Sequence, residues 1–392
     1  MRDVVIVAGC RTPIGTMGGQ FKSLTALDLS IPVMQALVSR AGIEGAMIDD
    51  VIWGCNYQRT YKENNLARVA AVKAGLPVTV PGITIHRNCT SSMSAIQMGF
   101  YQIRAEEADC IMAGGADSMS TAPHMVFNAR YGQKYGHMEM RDSMWDSLTN
   151  LGVGPAMGVT AENVAKWYGI TRQEMDAYAL RSQQRAVAAM DGGKFDGEIV
   201  PVTVSSRKGQ QTYMTDEYPK RGATLEGLAK LRPAFLEDGS VTAGNASGMN
   251  DAASGVILMA EAEAKALKLP ILGRVVSVAT TGVDPDYMGI GPISATQKAL
   301  GKAGLAVGDI GLFEINEAFA SQCLACQREL GIPDDKLNVN GGGISLGHPV
   351  GATGSRIVIT LLYEMRRRGD RYGVATLCAG GGMGTAVVVE SC

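Results

Sequence analysis

Two hydrophobic patterns alternate along the chain, one typical of buried strands and one typical of helices. Together they predict an α/β fold. Short apolar runs typical of buried strands cover residues 4–9, 51–54 and 271–280. Stretches of helical character lie between them, among them residues 25–41 and 295–304. Because strands and helices take turns along the chain, we expect helices packed against a sheet.

The order of elements in the first part of the chain returns in its last third. Residues 93–115 read as a helix, a charged turn and a strand that ends in Gly-Gly, and residues 357–381 repeat this order. A shared order over such a distance indicates two copies of one unit. The alternative is that a generic succession of strands and helices imitates a repeat.

The stretch between the two copies differs in character and is predicted to be an insertion. Residues 117–249 contain many methionines, scattered basic residues and a predicted helix near 160–192. We therefore expect a first half made of residues 1–116 and 250–269, an inserted loop domain, and a second half of residues 270–392. Insertions on a rigid scaffold often carry ligand contacts.

Composition and charge narrow the class of protein. The chain has 392 residues, 46% of them hydrophobic, and a net charge of −2. This length exceeds one ordinary core, and the charge does not suggest a nucleic-acid partner. Eight cysteines without framework spacing favour a reducing compartment. With no leader-like segment and no apolar run near the ~20 residues of a membrane span, the expected location is the cytoplasm.

Cys89 is the first residue that suggests chemistry. It follows a short apolar run and precedes a stretch of helical character, with Thr90 and Ser91 as N-cap types between them. The free N–H groups and the dipole of a helix N-terminus favour a thiolate, so Cys89 is a candidate nucleophile. The alternative for such a cysteine is a buried structural thiol.

His348 lies in a glycine-rich stretch, residues 338–354, that is poor material for a core and suited to a backbone cradle. An imidazole titrates near neutral pH, which makes His348 a candidate general base. The same stretch contains Gly343-Ile344-Ser345-Leu346-Gly347, which fits the hydrolase pattern G-x-S-x-G. That pattern needs a triad histidine later in the chain, and the last histidine is His348 itself. A serine hydrolase is therefore disfavoured.

Two further stretches carry polar groups at strand ends. Cys378 comes at the tip of a predicted strand, before a glycine turn whose free N–H groups can stabilise an oxyanion. Asn316 lies at a strand-to-helix junction, either as an N-cap or as a catalytic amide. Cys323 and Cys326 form a lone C-x-x-C without a second ligand pair, which we interpret as packing and not as a zinc site.

Three motifs in this order resemble the thiolase family over essentially the whole chain. They are Asn316-Glu317-Ala318-Phe319-Ala320, the stretch 341–354 that reads G-G-x-I-S-x-G-H-P-x-G-x-T-G, and Cys378-Ala379-Gly380-Gly381-Gly382-Met383-Gly384. The resemblance implies a duplicated five-layer αβαβα fold with an inserted loop domain. It also implies coenzyme A thioesters as substrates, no metal or other cofactor, a role in fatty acid metabolism and a homotetramer.

The resemblance implies catalytic roles as well. Cys89 accepts the acyl group, His348 deprotonates it, and Cys378 exchanges a proton with the substrate α-carbon or the leaving sulfur. Asn316, through a water, and His348 form one oxyanion hole, and the N–H groups of Cys89 and Gly380 form the other. Contacts to coenzyme A are implied for Ser247, Gly248, Ala243, Phe235, Lys220, Arg221, Ala318, Phe319 and Met157. The basic pair Lys220-Arg221 is also open to interpretation as an ordinary solvated surface.

The reaction implied by default is the condensation of two acetyl-CoA to acetoacetyl-CoA, and its reversal by thiolysis. A 3-ketoacyl-CoA thiolase of broader chain length and a catalytically silent CoA-binding relative are the alternatives. In the predicted acyl pocket, Ala156 replaces a histidine usual in acetoacetyl-type members, whereas Met288 is retained. His86, Thr90 and Ser92 also depart from the family pattern around the nucleophile.

Overall fold

The computed structural model describes residues 2–207 and 209–392. In chain order, the strands of this part are β1 Val4–Arg11, β2 Gly15–Thr16, β3 Asp50–Gly54, β4 Gly82–Ile85, β5 Cys110–Ser118, β6 His124–Val126, β7 Met140–Asp142, β8 Val202–Ser206, β9 Gly209–Tyr213, β10 Asn250–Ala260, β11 Gly273–Gly282, β12 Leu312–Ile315, β13 Tyr372–Ala379 and β14 Met383–Ser391. The α-helices are α1 Ala26–Ala41, α2 Leu66–Lys73, α3 Ser91–Arg104, α4 Ser143–Thr149, α5 Met157–Tyr168, α6 Arg172–Asp191, α7 Leu225–Ala229, α8 Glu261–Ala266, α9 Gly291–Ala303, α10 Ala320–Leu330, α11 Gly343–Leu346 and α12 Thr353–Arg368. Short 3₁₀ turns lie at Gly45–Met47, Met119–Thr121, Ala129–Tyr131, Pro285–Ile290, Val307–Asp309 and Asp334–Lys336.

The order of the strands in the large sheet shows that the two halves of the chain have the same topology. The large sheet runs β12-β13-β14-β11-β1-β10-β5-β3-β4. From β4 inward, the pairings in the first half are parallel, parallel, antiparallel and antiparallel. The second half repeats this series, from a parallel bridge between Phe313 and Leu337 through β12, β13, β14 and β11. The two halves join at the antiparallel pair β1–β11, so the predicted duplicated architecture is confirmed.

Side-chain alternation along β1 shows why the halves form layers. Val5 and Val7 pack in one core with α1 and α2, on the outer face of the first half. Val4 and Ile6 point the other way, into a core shared with α3 and α12. Helices α9 and α10 cover the outer face of the second half. A sheet covered on both faces reads as a continuous apolar run, and the result is the five-layer order αβαβα.

The predicted helix near 160–192 is two helices, α5 and α6. Gly169 ends α5 in the left-handed region at φ 62°, where a residue without Cβ is favoured. Thr171 then caps α6 through a reciprocal pair of hydrogen bonds with Glu174. Each of these signals terminates or starts a helix, so the periodic pattern across them belongs to two elements.

The segment between β5 and β10 leaves the sheet and returns to it at neighbouring positions. Ser118, at the end of β5, pairs with Asp251 near the start of β10. Residues 119–249 therefore form a long excursion that begins and ends at one point of the first half, and it includes helices α4 to α7.

Candidate active site

A cavity of about 90 Å³ opens between the two halves and the excursion. Its lining is mostly apolar, with a few polar groups, as is usual for small-molecule sites. The lining residues are Asn56, Tyr57, His86, Asn88, Cys89, Ser147, Leu148, Leu151, Met157, Ser247, Met288, Ala318, Phe319, His348, Val350 and Gly380. Residues far apart in the chain thus meet here.

Cys89 lies between the end of β4 and the start of α3, as its sequence context predicts. Burial raises the pKa of its thiol to about 11, and the charge of Asp117 adds to the increase. Hydrogen bonds from the N–H groups of Gly380 and of Cys89 itself act in the opposite direction but are outweighed. At neutral pH the sulfur therefore carries its proton, and a neighbouring base is needed to form the thiolate.

His348 is buried and held in one tautomer. Its Nδ1 lies 2.7 Å from Thr353 Oγ1, and this hydroxyl donates its own proton to the carbonyl of Pro349. The hydroxyl must then accept from Nδ1–H, which leaves Nε2 unprotonated. Burial, helped by the charge of Arg356, lowers the pKa of His348 to about 3. The ring is consequently a neutral imidazole with its lone pair on Nε2.

Asn316 lies next to this nitrogen, at the end of β12. Its Nδ2 is 3.5 Å from His348 Nε2, and its Oδ1 is buried without a hydrogen-bond partner. The following residue, Glu317, is braced by hydrogen bonds from Tyr178, Ser182 and the backbone N–H of Ile344. The junction is therefore rigid, and it presents an amide with unused hydrogen-bonding capacity.

Cys378 is fully buried near the end of β13. Burial raises the pKa of its thiol well above the usual value, and the charge of Cys89 adds to the increase. The two thiols therefore lie within electrostatic reach of each other. Cys378 is not among the cavity-lining residues, whereas Gly380, two residues further on, is.

Four of the residues that the resemblance assigns to coenzyme A line one wall of the cavity, namely Ser247, Ala318, Phe319 and Met157, and Phe235 and Gly248 adjoin them outside the lining. Ser247 donates its backbone N–H to the carbonyl of Ala318 at 2.9 Å, which joins the excursion to the Asn316 motif. The Phe319 ring packs edge-on against Phe235 at 6.1 Å. Gly248 lies directly against Tyr218, where a Cβ would come 2.4 Å from the ring. Met157, at the start of α5, completes this wall.

The remaining predicted CoA contacts are on the surface, outside the cavity. Ala243 is exposed. The Nζ of Lys220 lies 5.7 Å from the centre of the Tyr218 ring. Arg221 makes a two-point contact with Asp191 at 2.7 and 2.9 Å. A ligand phosphate at this place would compete with the Asp191 carboxylate for Arg221.

The predicted acyl pocket is only partly reproduced by the lining. Met288 is buried and lines the cavity, but Ala156 does not belong to the lining. Ala156 instead precedes α5 as its N-terminal capping residue. Leu148 and Leu151, from α4 and the loop after it, lie at the cavity, and nothing in their local sequence singled them out.

Thr353 was also missed by the sequence reasoning, although a signal was present. It belongs to the same quoted motif as His348, five residues further along. A hydroxyl this close in the chain to a histidine can reach the ring and fix its tautomer. By contrast, Asn56 and Tyr57 reach the cavity through tertiary contacts alone, since their backbone N–H groups are fixed by the carboxylate of Asp117.

The structure does not support a hydrolase nucleophile in the G-x-S-x-G motif or a zinc site in the C-x-x-C motif. Ser345 is buried and bonded to Ser182 and to the carbonyl of Gly342, so it is a structural hydroxyl. Cys323 and Cys326 contact the backbone carbonyls of Asn316 and Gly289, which agrees with a role in packing.

Comparison with known proteins agrees with these observations. The families described as Thiolase, N-terminal domain and Thiolase, C-terminal domain match residues 4–262 and 269–391. An acetyl-CoA acetyltransferase of Pseudomonas aeruginosa is 49% identical, with 99% of each chain covered. Among the described residues, no helix is both long and apolar enough to cross a membrane.

Solved structures extend the likeness to the whole fold. The acetyl-CoA acetyltransferase of Bacillus anthracis superposes with a TM-score of 0.98 at 46% identity, covering 100% of this chain and 99% of the other. Human mitochondrial 3-ketoacyl-CoA thiolase in complex with CoA has a TM-score of 0.96 at 45% identity, covering 100% of this chain and 98% of the other. The resemblance inferred from the three motifs is thus confirmed, and the chain belongs to the thiolase family.

Proposed function

We propose that this protein is an acetyl-CoA C-acetyltransferase, which joins two acetyl-CoA into acetoacetyl-CoA and CoA and catalyses the reverse thiolysis. The observation that carries the proposal is that Cys89 and His348 line one cavity, where burial raises the pKa of the thiol to about 11 and lowers the pKa of the imidazole to about 3. A thiol with a raised pKa needs a base, and an imidazole held unprotonated at Nε2 can serve as one.

In the first half-reaction, His348 Nε2 takes the proton of Cys89. The thiolate attacks the carbonyl carbon of acetyl-CoA, and the resulting tetrahedral intermediate collapses with loss of the CoA sulfur. Cys378 gives its proton to this sulfur, so free CoA leaves and Cys378 remains as a thiolate. The products are an acetyl thioester on Cys89 and an imidazolium at His348.

In the second half-reaction, the Cys378 thiolate removes a proton from the α-carbon of a second acetyl-CoA. The carbanion attacks the acetyl carbon on Cys89 and forms the new carbon–carbon bond. The Cys89 sulfur is expelled and recovers its proton from His348. All protein groups are then back in their starting protonation states, and acetoacetyl-CoA is released.

Two sets of donors are available for the negative charge that develops. The N–H groups of Gly380 and Cys89 already converge on the Cys89 sulfur, and we assign them to the tetrahedral oxyanion. Asn316, acting with a water, and His348 are assigned to the enolate oxygen of the second substrate. Removal of one such donor typically costs 10²–10³ in kcat at other enzymes.

Coenzyme A is proposed to lie along the wall formed by Ser247, Gly248 and Phe319, with its phosphates toward Lys220 and Arg221. Phe235 and Ala318 belong to the same wall, and Ala243 to the exposed loop beside it. A flat apolar edge suits the pantetheine arm, and the exposed cations suit phosphate groups. CoA thioesters act here as substrates and not as a cofactor.

Acetyl is the acyl group that the cavity favours. The side chains of Met288, Leu148 and Leu151 line this cavity of about 90 Å³. A longer acyl chain would have to extend past these side chains. The relatives named acetyl-CoA acetyltransferase point to the same acyl group.

A 3-ketoacyl-CoA thiolase of broader chain length is the second candidate. It is supported by the likeness to human mitochondrial 3-ketoacyl-CoA thiolase and by the flexibility of the methionine side chain at position 288. Steady-state thiolysis of acetoacetyl-CoA is to be compared with that of six- and eight-carbon 3-ketoacyl-CoA. A higher kcat/KM for the longer substrates would replace the first candidate by the second.

Intact-mass spectrometry tests whether the chain is an enzyme at all. Incubation with acetyl-CoA should add one acetyl group to the wild-type protein and none to Cys89→Ala. The His348→Ala variant should gain it far more slowly. If the wild type binds CoA but forms no acetyl adduct, the protein is a catalytically silent CoA-binding relative and not an enzyme.

We also propose that the protein works in the cytoplasm as a homotetramer. Large side chains are exposed in the excursion, with Tyr131 at 91%, Tyr135 at 94% and Trp145 at 63%. Exposed apolar patches of this kind mark contact surfaces. Sedimentation of the wild type and of Tyr131→Ser/Tyr135→Ser should show a tetramer and a smaller species, respectively.

A further inference from the structure

Asn88 connects the nucleophile loop to the glycine turn after Cys378. Its Nδ2 donates to the carbonyl oxygen of Gly380 at 2.7 Å, and its Oδ1 lies 2.9 Å from His86 Nε2. Asn88 and His86 both line the cavity beside Cys89. Asn88, next to the nucleophile and itself in contact with His86, therefore holds a turn almost three hundred positions away in the chain.

The orientation of this chain of contacts follows from the acceptor at its end. A carbonyl oxygen only accepts, so the NH₂ group of Asn88 must face Gly380. The amide oxygen then faces His86, whose Nε2 must carry a proton and donate it. The contacts run in one direction, from His86 to Asn88 to Gly380.

Local backbone geometry explains the residue type at position 88. Its φ is +46°, in the left-handed region, where asparagine is tolerated better than most side chains. Gly381 and Gly382 also have positive φ, at 86° and 80°. A turn with consecutive glycines has wide conformational freedom, so its position depends on contacts from outside.

Gly380 is held by its neighbours as well as by this hydrogen bond. A Cβ at this position would lie 3.0 Å from Leu151 Cδ2 and 3.3 Å from Met157 Sδ. Its N–H meanwhile hydrogen-bonds the Cys89 sulfur. The carbonyl held by Asn88 and the N–H aimed at the sulfur belong to the same residue, so a displacement at one group is passed to the other.

We propose that His86 and Asn88 act as a positioning pair, which fixes the glycine turn so that Gly380 N–H stays aimed at the reacting thioester on Cys89. The inference rests on the proposed function, since it assigns this N–H to the oxyanion. Neither residue exchanges a proton with substrate. Both act through Gly380, and their effect therefore falls on the chemical step and not on binding.

The decisive variant is Asn88→Asp. Aspartate keeps the shape and the tolerance for a left-handed backbone, but it places a carboxylate oxygen against the Gly380 carbonyl oxygen. We expect kcat for acetoacetyl-CoA thiolysis to fall by roughly tenfold to a hundredfold, as when an outer-shell partner that orients a metal ligand is removed. KM for acetoacetyl-CoA and for CoA should stay within about threefold, because ground-state contacts are unchanged.

Substitutions at His86 provide a second test, in case Asn88→Asp fails to fold. The His86 side chain is exposed, so its replacement should not disturb folding. His86→Phe keeps a ring but loses the donor, so kcat should fall in the same direction. His86→Gln offers an amide N–H to Asn88 and should recover most of the activity. Asn64→Asp makes the same exchange at an exposed position outside the cavity lining and should leave kcat unchanged.

The outcomes separate this inference from the proposed function. If the wild type forms no acetyl adduct, the proposed function is wrong. If the adduct forms and both Asn88→Asp and His86→Phe keep kcat within about twofold, the positioning pair is wrong. A rise in KM at constant kcat, or no recovery in His86→Gln, would show a direct ligand contact and would equally overturn it.

Discussion

Thr353 Oγ1 lies 2.7 Å from His348 Nδ1, and this contact decides which nitrogen of the imidazole can accept a proton. The hydroxyl is itself bound to the Pro349 carbonyl at 3.0 Å, so it has no freedom to donate to the ring. Position 353 is also the first residue of α12. The helix thereby holds the proposed base in its working tautomer.

Loss of this hydroxyl should slow the chemical step. In Thr353→Val the shape is kept, but Nδ1–H loses its acceptor, and the proton can move to Nε2. We expect kcat to fall by about tenfold to a hundredfold with little change in KM. Thr353→Ser keeps the hydroxyl and serves as the matched control. Equal activity of the two variants would show that the tautomer is fixed in another way.

Alkylation of Cys89 should increase steadily with pH. Burial raises its pKa to about 11, so the thiolate fraction grows about tenfold per pH unit between pH 7 and 9. The rate of iodoacetamide labelling, followed by peptide mass spectrometry, measures this fraction. The exposed Cys392 provides an internal comparison. A labelling rate that is already at a plateau near pH 7 would instead indicate a thiolate–imidazolium pair in the resting enzyme.

Arg221 should contribute to CoA binding only through the phosphate on the ribose of CoA. Arg221→Ala is expected to raise KM for CoA by about threefold, and the effect should shrink at high salt. Asp191→Asn removes the competing carboxylate and should lower KM. Neither variant should alter KM for dephospho-CoA, which lacks the phosphate on the ribose. Equal effects on both forms of CoA would place the phosphate elsewhere.

Glu314 should make stability depend on pH. Burial raises its pKa to about 8, even though the nearby Arg356 lowers it, while Glu317, Glu198 and Glu364 add to the rise. The folded chain then holds a proton that the unfolded chain releases near pH 4.3. Stability from this group is complete below pH 4.3 and is lost as pH rises to 8, by up to about 1.4 kcal/mol per unit.

Urea denaturation at pH 5, 7 and 9 measures this dependence. The Glu314→Gln variant has no proton to release, so it should gain stability relative to the wild type between pH 5 and pH 8 and then keep its advantage. Glu226→Gln makes the same exchange on the exposed surface of α7 and should follow the wild type. Parallel profiles for all three proteins would show that Glu314 is ionised throughout.

Much of the architecture could be read from local patterns. Thr25 and Asp28 form the reciprocal cap that starts α1, and the unbroken apolar run from Val4 to Val7 marks β1 as a strand buried on both faces. Such signals depend on residues a few positions apart, so they survive without knowledge of the fold. The same holds for the motifs around His348 and Cys378, which were sufficient to identify the family.

Local patterns were not sufficient where the site is made by distant contacts. Ala156 was expected in the acyl pocket and is not among the cavity-lining residues, whereas Leu148 and Leu151, which were not expected, are. The position of this pocket wall depends on how α4 packs against the two halves. This packing cannot be predicted from the hydrophobic pattern of α4 alone. The helix predicted near 160–192 is a different case, because Gly169 and the Thr171–Glu174 cap, which divide it into α5 and α6, are local signals.

Cys89 shows the division most clearly. The sequence by itself determined that a cysteine stands before a helix, in a chain with the motifs of an acyl-transferring family. Only the tertiary structure decided that Asn88 reaches the Gly380 carbonyl and that Gly380 N–H reaches the sulfur. Burial and hydrogen bonding, which set the pKa of a thiol, come from atoms brought together by packing. Burial and hydrogen bonding of the thiol are therefore properties of the whole folded chain and cannot be assigned to any single segment of the sequence.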